Sequence, residues 1–271
     1  MIDNPRSPRV RGVAKLAKRD ARSQTGRFLL EGPQAVSEAL AFRPELIEEL
    51  FVTPTALDRY QDIGRAAREA DIEVEFVTEQ VLEAMADTVT PQGVLAVARQ
   101  FPTSLKDILA AEPKLIAILE EVRDPGNAGT IIRAADAAGA DAIILTGRSV
   151  DLYNPKVVRA TTGSIFHIPV AIAADLETVI EKVKGYGLQI LAADIKGDDL
   201  LEARTNGVLA ADRVAVRQRG PRTERRALRP GRQRDHRSDL RTRGIDESGD
   251  RGIRLPVRKR LLAAPRVIVS T

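Results

Sequence analysis

The stretch "EEVRDPGNAGTIIRAADAAGADAIIL", residues 120–145, holds the residues best suited to chemistry: Asn127, Gly129 and Arg133. Asp124-Pro125-Gly126 makes a turn after a strand, Asn127 can cap the helix that follows, and Gly139 ends it. Gly129 permits close backbone approach in the first turn. Arg133 lies six residues beyond Asn127, so both can border the crevice at the strand ends. Taken residue by residue, a capped helix with an arginine in a salt bridge satisfies the same stretch. The G-x-G-x-x-G spacing of a dinucleotide site is absent. With no cysteine, disulfides and thiolate metal sites are excluded, and two histidines leave little for a structural zinc.

These residues need elements to position them, and the flanking pattern supplies an α/β scaffold. At 271 residues, 43% hydrophobic and 30% charged, the chain has material for two cores. No apolar run reaches the roughly 18 residues of a membrane span, and "MIDNPRSPRV" lacks the apolar core of a signal peptide. A cytoplasmic protein is expected. "GRFLLEGPQAVSEALAF" reads as a strand, a turn at Gly32-Pro33 and a helix. The strand "IEELFVT", the helix "PTALDRYQDIGRAAREA", the strand "IEVEFVT", the helix "EQVLEAMAD" and the strand "GVLAVAR" follow, an alternation that argues a first α/β/α domain over residues 1–100.

After a linker with a short helix, "FPTSLKDILAAEP", a second series begins. The strands "KLIAILEEV", "ADAIILTG", "IFHIPVAIA" and "LQILAADI" alternate with the helices "PGNAGTIIRAADAAG", "NPKVVRATTG" and "DLETVIEKVKGYG". Continuous apolar strands of this kind suit a parallel sheet covered on both faces. The pattern stops near Ala211, which sets a second domain at 101–212 and a tail at 213–271 that is expected to add no strand to the sheet.

The net charge of +4 hides two opposed parts. Residues 213–260 carry a balance of +11, and the remainder carries −7. The overall basicity therefore says nothing about nucleic acid by itself. At the amino terminus, Arg6, Arg9, Arg11, Lys15, Lys18, Arg19, Arg22 and Arg27 face only Asp20 within residues 4–27. A solvated helix face and a phosphate-contacting arm both fit that segment, and Arg19, Arg22 and Arg27 are the candidate RNA-binding residues.

Taken together, N-x-G-x-x-x-R-A in a strand–loop–helix setting resembles the first motif of the SpoU (TrmH-like) RNA 2′-O-ribose methyltransferases. "NPKVVRATTGSIFHIPV", residues 154–170, resembles the segment that follows it in that family. "RFLLEGPQAVSEAL" and "TPQGVLAVAR" resemble its RNA-binding domain, which is similar to the ribosomal protein L30e fold. The resemblance covers roughly residues 7–211. It implies an L30e-like domain followed by a SPOUT-type trefoil-knot domain, S-adenosyl-L-methionine as methyl donor, structured and specifically ribosomal RNA as partner, and a homodimer with active sites at the interface. In such a reaction a ribose 2′-hydroxyl attacks the donor methyl in line, so it must be positioned and lose its proton. On the family pattern Asn127 and Arg133 border that step as the catalytic residues. A guanidinium, with a pKa above about 12, is a poor base, which favours phosphate positioning and electrostatic activation for Arg133. Ser164, Lys156 and Arg159 are near-site candidates, and His167 reads as structural.

The family has two further motifs after residue 200, F-G-N-E-x-x-G-L and I-P-x-x-x-x-x-E-S-L-N-x-A-x-A, and neither is present here. Codons for Val214–Arg219, read one nucleotide later, can spell W-L-F-G-N-E. Residues 237–258 treated the same way permit V-P-I-Y-G-R-A-E-S-M-N-L-A-T-A-A-S-V-x-L-Y-A. The arginine-rich tail is therefore expected to be an out-of-frame translation beginning between Asn206 and Arg213, with donor binding and activity lost in this form. A second class of reading is a non-catalytic RNA-binding protein using the first domain and the basic segments; a third is a nucleotide-binding α/β protein unrelated to methylation.

Overall fold

The structure is a computed structural model that describes residues 1–193, 214–219 and 267–269. Those residues belong to one compact unit.

The chain opens with two short helices, α1 (Pro8–Lys15) and α2 (Arg19–Thr25). Ser7 caps α1, its hydroxyl accepting from Val10 N at 3.3 Å, and Pro8 takes the first helical position, where a missing N–H costs nothing. Val10, Val13 and Leu16 are buried with Leu29, Phe51, Val81 and Leu82. The basic amino terminus is thus a docked helical pair and not a free arm.

There follow β1 (Arg27–Glu31), α3 (Pro33–Phe42), β2 (Ile47–Val52), α4 (Pro54–Arg59), α5 (Gln61–Glu69), β3 (Val74–Phe76), α6 (Glu79–Met85) and β4 (Val94–Arg99). Their sheet has the order β1-β4-β2-β3, antiparallel except for the parallel β2–β3 pair. The helix expected over "PTALDRYQDIGRAAREA" is two helices. At Tyr60 the backbone leaves the helical region (φ −118°, ψ 56°), a break that no proline or glycine announces.

The second series comprises α7 (Leu105–Ala110), β5 (Leu115–Glu120), α8 (Pro125–Ala137), β6 (Ala142–Thr146), α9 (Pro155–Thr161), β7 (Val170–Ala173), α10 (Leu176–Gly185), β8 (Gln189–Ala193), β9 (Val214–Arg219) and β10 (Val267–Val269). The sheet order is β10-β8-β9-β5-β6-β7, parallel throughout except at β10. Ile116, Ile118, Leu119, Ile143, Ile144 and Leu145 are all buried, as a sheet covered on both faces requires. The α/β class expected from sequence is the class observed.

Two expectations are corrected. The strand foreseen in "IFHIPVAIA" is shorter, because Ser164–Phe166 forms a 3-10 turn and Ile165, Phe166 and Ile168 bury without the alternation of a strand. The tail, expected to add no strand, contributes β9, seated between β8 and β5. Val214-Ala215-Val216 supplies a β-prone run, and ladder hydrogen bonds, being main-chain, carry Arg217-Gln218-Arg219 along with it. The expected knot and the remainder of the segment expected to be out of frame lie outside the described residues.

The two halves share a core. One cluster joins Phe28, Leu30 and Val36 to Leu119, Ile132, Tyr153 and Phe166. Within this apolar surround the Tyr153 hydroxyl accepts from Phe101 N at 2.8 Å, and burial pushes its pKa well up.

Candidate functional site

The β5–β9 boundary is where the strand order reverses: the chain runs outward from β5 to β7, then returns to the other side of β5. In open α/β sheets this switch point is where strand ends leave a crevice. Helix α8 starts there. Its cap is Asp124, whose carboxylate accepts from Asn127 N at 2.8 Å, and Pro125 occupies the first turn. The expectation that Asn127 caps this helix is therefore corrected. Asn127 stands inside the first turn, and the acidic residue three positions earlier is the stronger acceptor for its N–H. Gly139 does follow the helix end, at φ +71°.

Gly129 has the role foreseen for it. A Cβ there would lie 2.7 Å from the backbone carbonyl carbon of Ala160, so α8 and α9 meet backbone to backbone at this point. α9 is capped by Asn154, which accepts from Lys156 N at 2.9 Å, and it ends at Thr162 in the left-handed region (φ +48°).

Arg133 is exposed and makes no ion pair with any described residue. It lines an open groove with Thr130, Asp136, Thr162 and Ser164. The helical spacing Thr130–Arg133–Asp136 puts these side chains on one face, a signal that was present in the sequence and could have found Thr130 and Asp136. Asn127 is also exposed but is not part of this groove. Six residues of helix separate it from Arg133 by about 9 Å along the axis and about 120° around it.

The near-site candidates divide. Ser164 is buried at the groove floor, and Lys156 is exposed. Arg159 is not part of the Arg133 groove and joins Glu31 at 2.9 Å and Asp87 at 3.0 Å. Glu31 also accepts from the backbone N–H groups of Asp87 and Thr88, which accounts for a buried carboxylate. His167 lies between Asp136 of α8 and Glu38 of α3, with Nδ1 at 2.9 Å and Nε2 at 3.0 Å from their carboxylates.

The amino-terminal candidates divide as well. Arg22 is corrected: its side chain is 2% exposed, held by Asp151 at 2.6 Å and by the carbonyls of Leu16 and Ala17. A side chain so enclosed cannot reach a phosphate. Arg27 is half-exposed and paired with Glu48 at 2.6 Å, while Arg9 is bound by Glu49 and Glu75 over the Phe51 ring. Arg19 is exposed, as are Arg11, Lys15 and Lys18, and none of these four pairs with a described acid. Pairing across the fold, which charge counting along the chain cannot see, decides which cations stay available.

The segments to which the family resemblance gives the methyl donor fall after residue 200, and of these only β9 and β10 are described. β9 brings Arg219 into register with Glu120 at the carboxyl end of the sheet, in place of the F-G-N-E run.

Residues 114–216 match the SpoU rRNA Methylase family, and residues 29–104 match the RNA 2′-O ribose methyltransferase substrate-binding family. The chain is 32% identical, over 70% of its length and 71% of the relative's, to the 23S rRNA (guanosine(2553)-2′-O)-methyltransferase RlmP of Bacillus subtilis. Among solved structures it resembles an rRNA methyltransferase from Sinorhizobium meliloti, with TM-score 0.68, 31% identity and 82% of each chain covered. An AdoMet-bound rRNA methyltransferase from the same organism gives TM-score 0.67 at 29% identity, covering 84% of this chain and 91% of that one.

Proposed function

The chain belongs to the SpoU rRNA methylase family of S-adenosylmethionine-dependent RNA 2′-O-methyltransferases, and from that premise we propose that its substrate is structured ribosomal RNA. The observation that carries the site assignment is Arg133: a permanent positive charge, unpaired among the described residues, in a groove at the helix that opens the sheet's switch point. There it holds a phosphate beside the target ribose and lowers the cost of charge developing on the 2′-oxygen. Asn127, about 9 Å away along α8, serves the strand-end side of the same region. When bound, S-adenosylmethionine supplies the electrophilic methyl group. Arg11, Lys15, Lys18 and Arg19 present the phosphate-binding surface of the amino-terminal domain, with Arg27 at its edge.

We further propose that the chain as written does not hold the donor, because residues 213–271 read as out-of-frame translation and lack both donor motifs. The family's dimer, built in part by its final segment, is lost with them. Two measurements test this: calorimetry with S-adenosylmethionine, and transfer of labelled methyl to ribosomal RNA. Each is made on the chain as given and on a version with the reading frame restored. Binding and transfer are expected for the restored version alone. Comparable donor affinity in both would overturn the account of the tail. Transfer by the restored version that survives Arg133→Ala undiminished would remove Arg133 from the mechanism.

A further inference from the structure

His167 is the one side chain whose two ring nitrogens both meet carboxylates among the described residues, one on each side of the domain boundary. Asp136 belongs to α8, one turn after Arg133 and in the same groove; Glu38 belongs to α3 of the substrate-binding domain. An ionised carboxylate only accepts hydrogen bonds, so contacts of 2.9 and 3.0 Å at both nitrogens require both to donate. Only imidazolium can do that.

The surroundings hold the ring in this pose. Phe42 of α3 packs on it with centroids 4.2 Å apart. Gln34 fixes Glu38 by donating to it at 2.9 Å. Gly163, at φ +104°, lies so close that a Cβ would come within 2.7 Å of the Glu38 Cβ. From α8 and α3 the charged groups facing the ring are Asp136 and Glu38; the turn Ser164–Phe166 that carries it presents none.

We propose that His167, as imidazolium, is a positioning residue that locks α3 to α8 and so sets the RNA held by the substrate-binding domain in line with Arg133. This rests on the methyltransferase reading above. A neutral ring keeps one donor and turns a lone pair toward the other carboxylate, so the lock loosens on deprotonation. Burial works against the charged ring, but hydrogen bonds to Asp136 and Glu38 outweigh it and raise its pKa. The sign follows: the lock is complete below the ordinary imidazole range and is lost as pH rises through the raised value. In-line transfer tolerates little misplacement, since about 1 Å can cost on the order of a hundredfold.

The test uses the full chain, which has two histidines, His167 and His236. Ring proton resonances are followed against pH, with His167→Gln identifying the signal. The expected midpoint lies above the ordinary value of 6.5, and Glu38→Gln and Asp136→Asn each lower it. Amide exchange in α3 and α8 should accelerate, beyond its intrinsic pH dependence, as the ring deprotonates, while β1, β2 and β4 keep their protection. A midpoint at or below 6.5, or exchange in α3 and α8 indifferent to ring titration, overturns the proposal. Should His167→Gln fail to fold, the two carboxylate variants carry the same test with the ring in place. In the frame-restored version, His167→Gln should lower kcat by about tenfold with KM for RNA within about twofold. A rise in KM with kcat unchanged would assign the ring to RNA binding and overturn the positioning role. If no version transfers methyl, the methyltransferase reading fails, and the titration and exchange still judge the lock.

Discussion

Asp124 and Asn127 show how a single hydrogen bond assigns roles. Because Asp124 supplies the cap of α8, Asp124→Ala should cost about 1 kcal/mol of stability. Asn127→Ala, which leaves that bond in place because its own contribution is a backbone N–H, should cost less than about 0.5 kcal/mol. Urea denaturation of the two variants distinguishes them, and equal losses would mean that Asn127 has structural work the geometry does not show. Arg22 is the sharper case. Its buried guanidinium is enclosed between the partly buried Asp151 and two carbonyls, so Arg22→Ala strands all three acceptors and should destabilise by roughly 3 kcal/mol. Salt above a molar should rescue little of that loss, because a buried pair is poorly screened. An Arg22→Ala protein with unaltered stability and weaker RNA binding would return this residue to the phosphate surface.

Among the elements, the α8–α9 contact governs the groove. With Gly129 pressed on the backbone at Ala160, Gly129→Ala gains helix propensity of up to about 1 kcal/mol but must push the two helices apart. Overpacking of this kind costs about 1–3 kcal/mol, so the variant should be less stable despite the better helix former. Thermal unfolding reads the balance directly; a rise in Tm would show that α9 moves away at no cost. The same displacement shifts Thr162 and Ser164 relative to Arg133, so restored methyl transfer should fall more than stability alone explains.

For the whole molecule, the shared core matters more than the boundary near residue 100. Phe28, Leu30 and Val36 pack with Leu119, Ile132 and Phe166, so residues 1–104 alone would expose part of this cluster. That fragment should unfold at a lower temperature than the full chain and bind apolar dyes; equal Tm values would show two independent cores. RNA affinity should weaken with salt according to the phosphates contacted. Replacing Arg11, Lys15, Lys18 and Arg19 by alanine should reduce the logarithmic salt slope by about 0.9 for each contact made to duplex-like RNA. An unchanged slope would place the phosphate surface elsewhere. Arg9, held by Glu49 and Glu75, should contribute nothing to it.

The amino-acid sequence by itself determined the α/β class, the alternation of elements and the presence of the Asn127–Arg133 segment after a buried strand. These are local properties: apolar periodicity, turn residues and motif spacing are written within a few residues of each other. It also marked Gly129 as a site of close approach, because a glycine inside a helix has little other reason to be there. What only the tertiary structure decided depended on partners distant in the chain. Asp151, 129 residues from Arg22, removed that arginine from the RNA surface; Glu38, 129 residues from His167, made a histidine read as structural into a tie between domains. β9 emerged from a tail whose only local signal is the short β-prone run Val214-Ala215-Val216, because β5 and β8, distant in the chain, supply its main-chain partners. Charge and hydrophobicity along the chain set what each residue can do, and the fold sets which groups it meets.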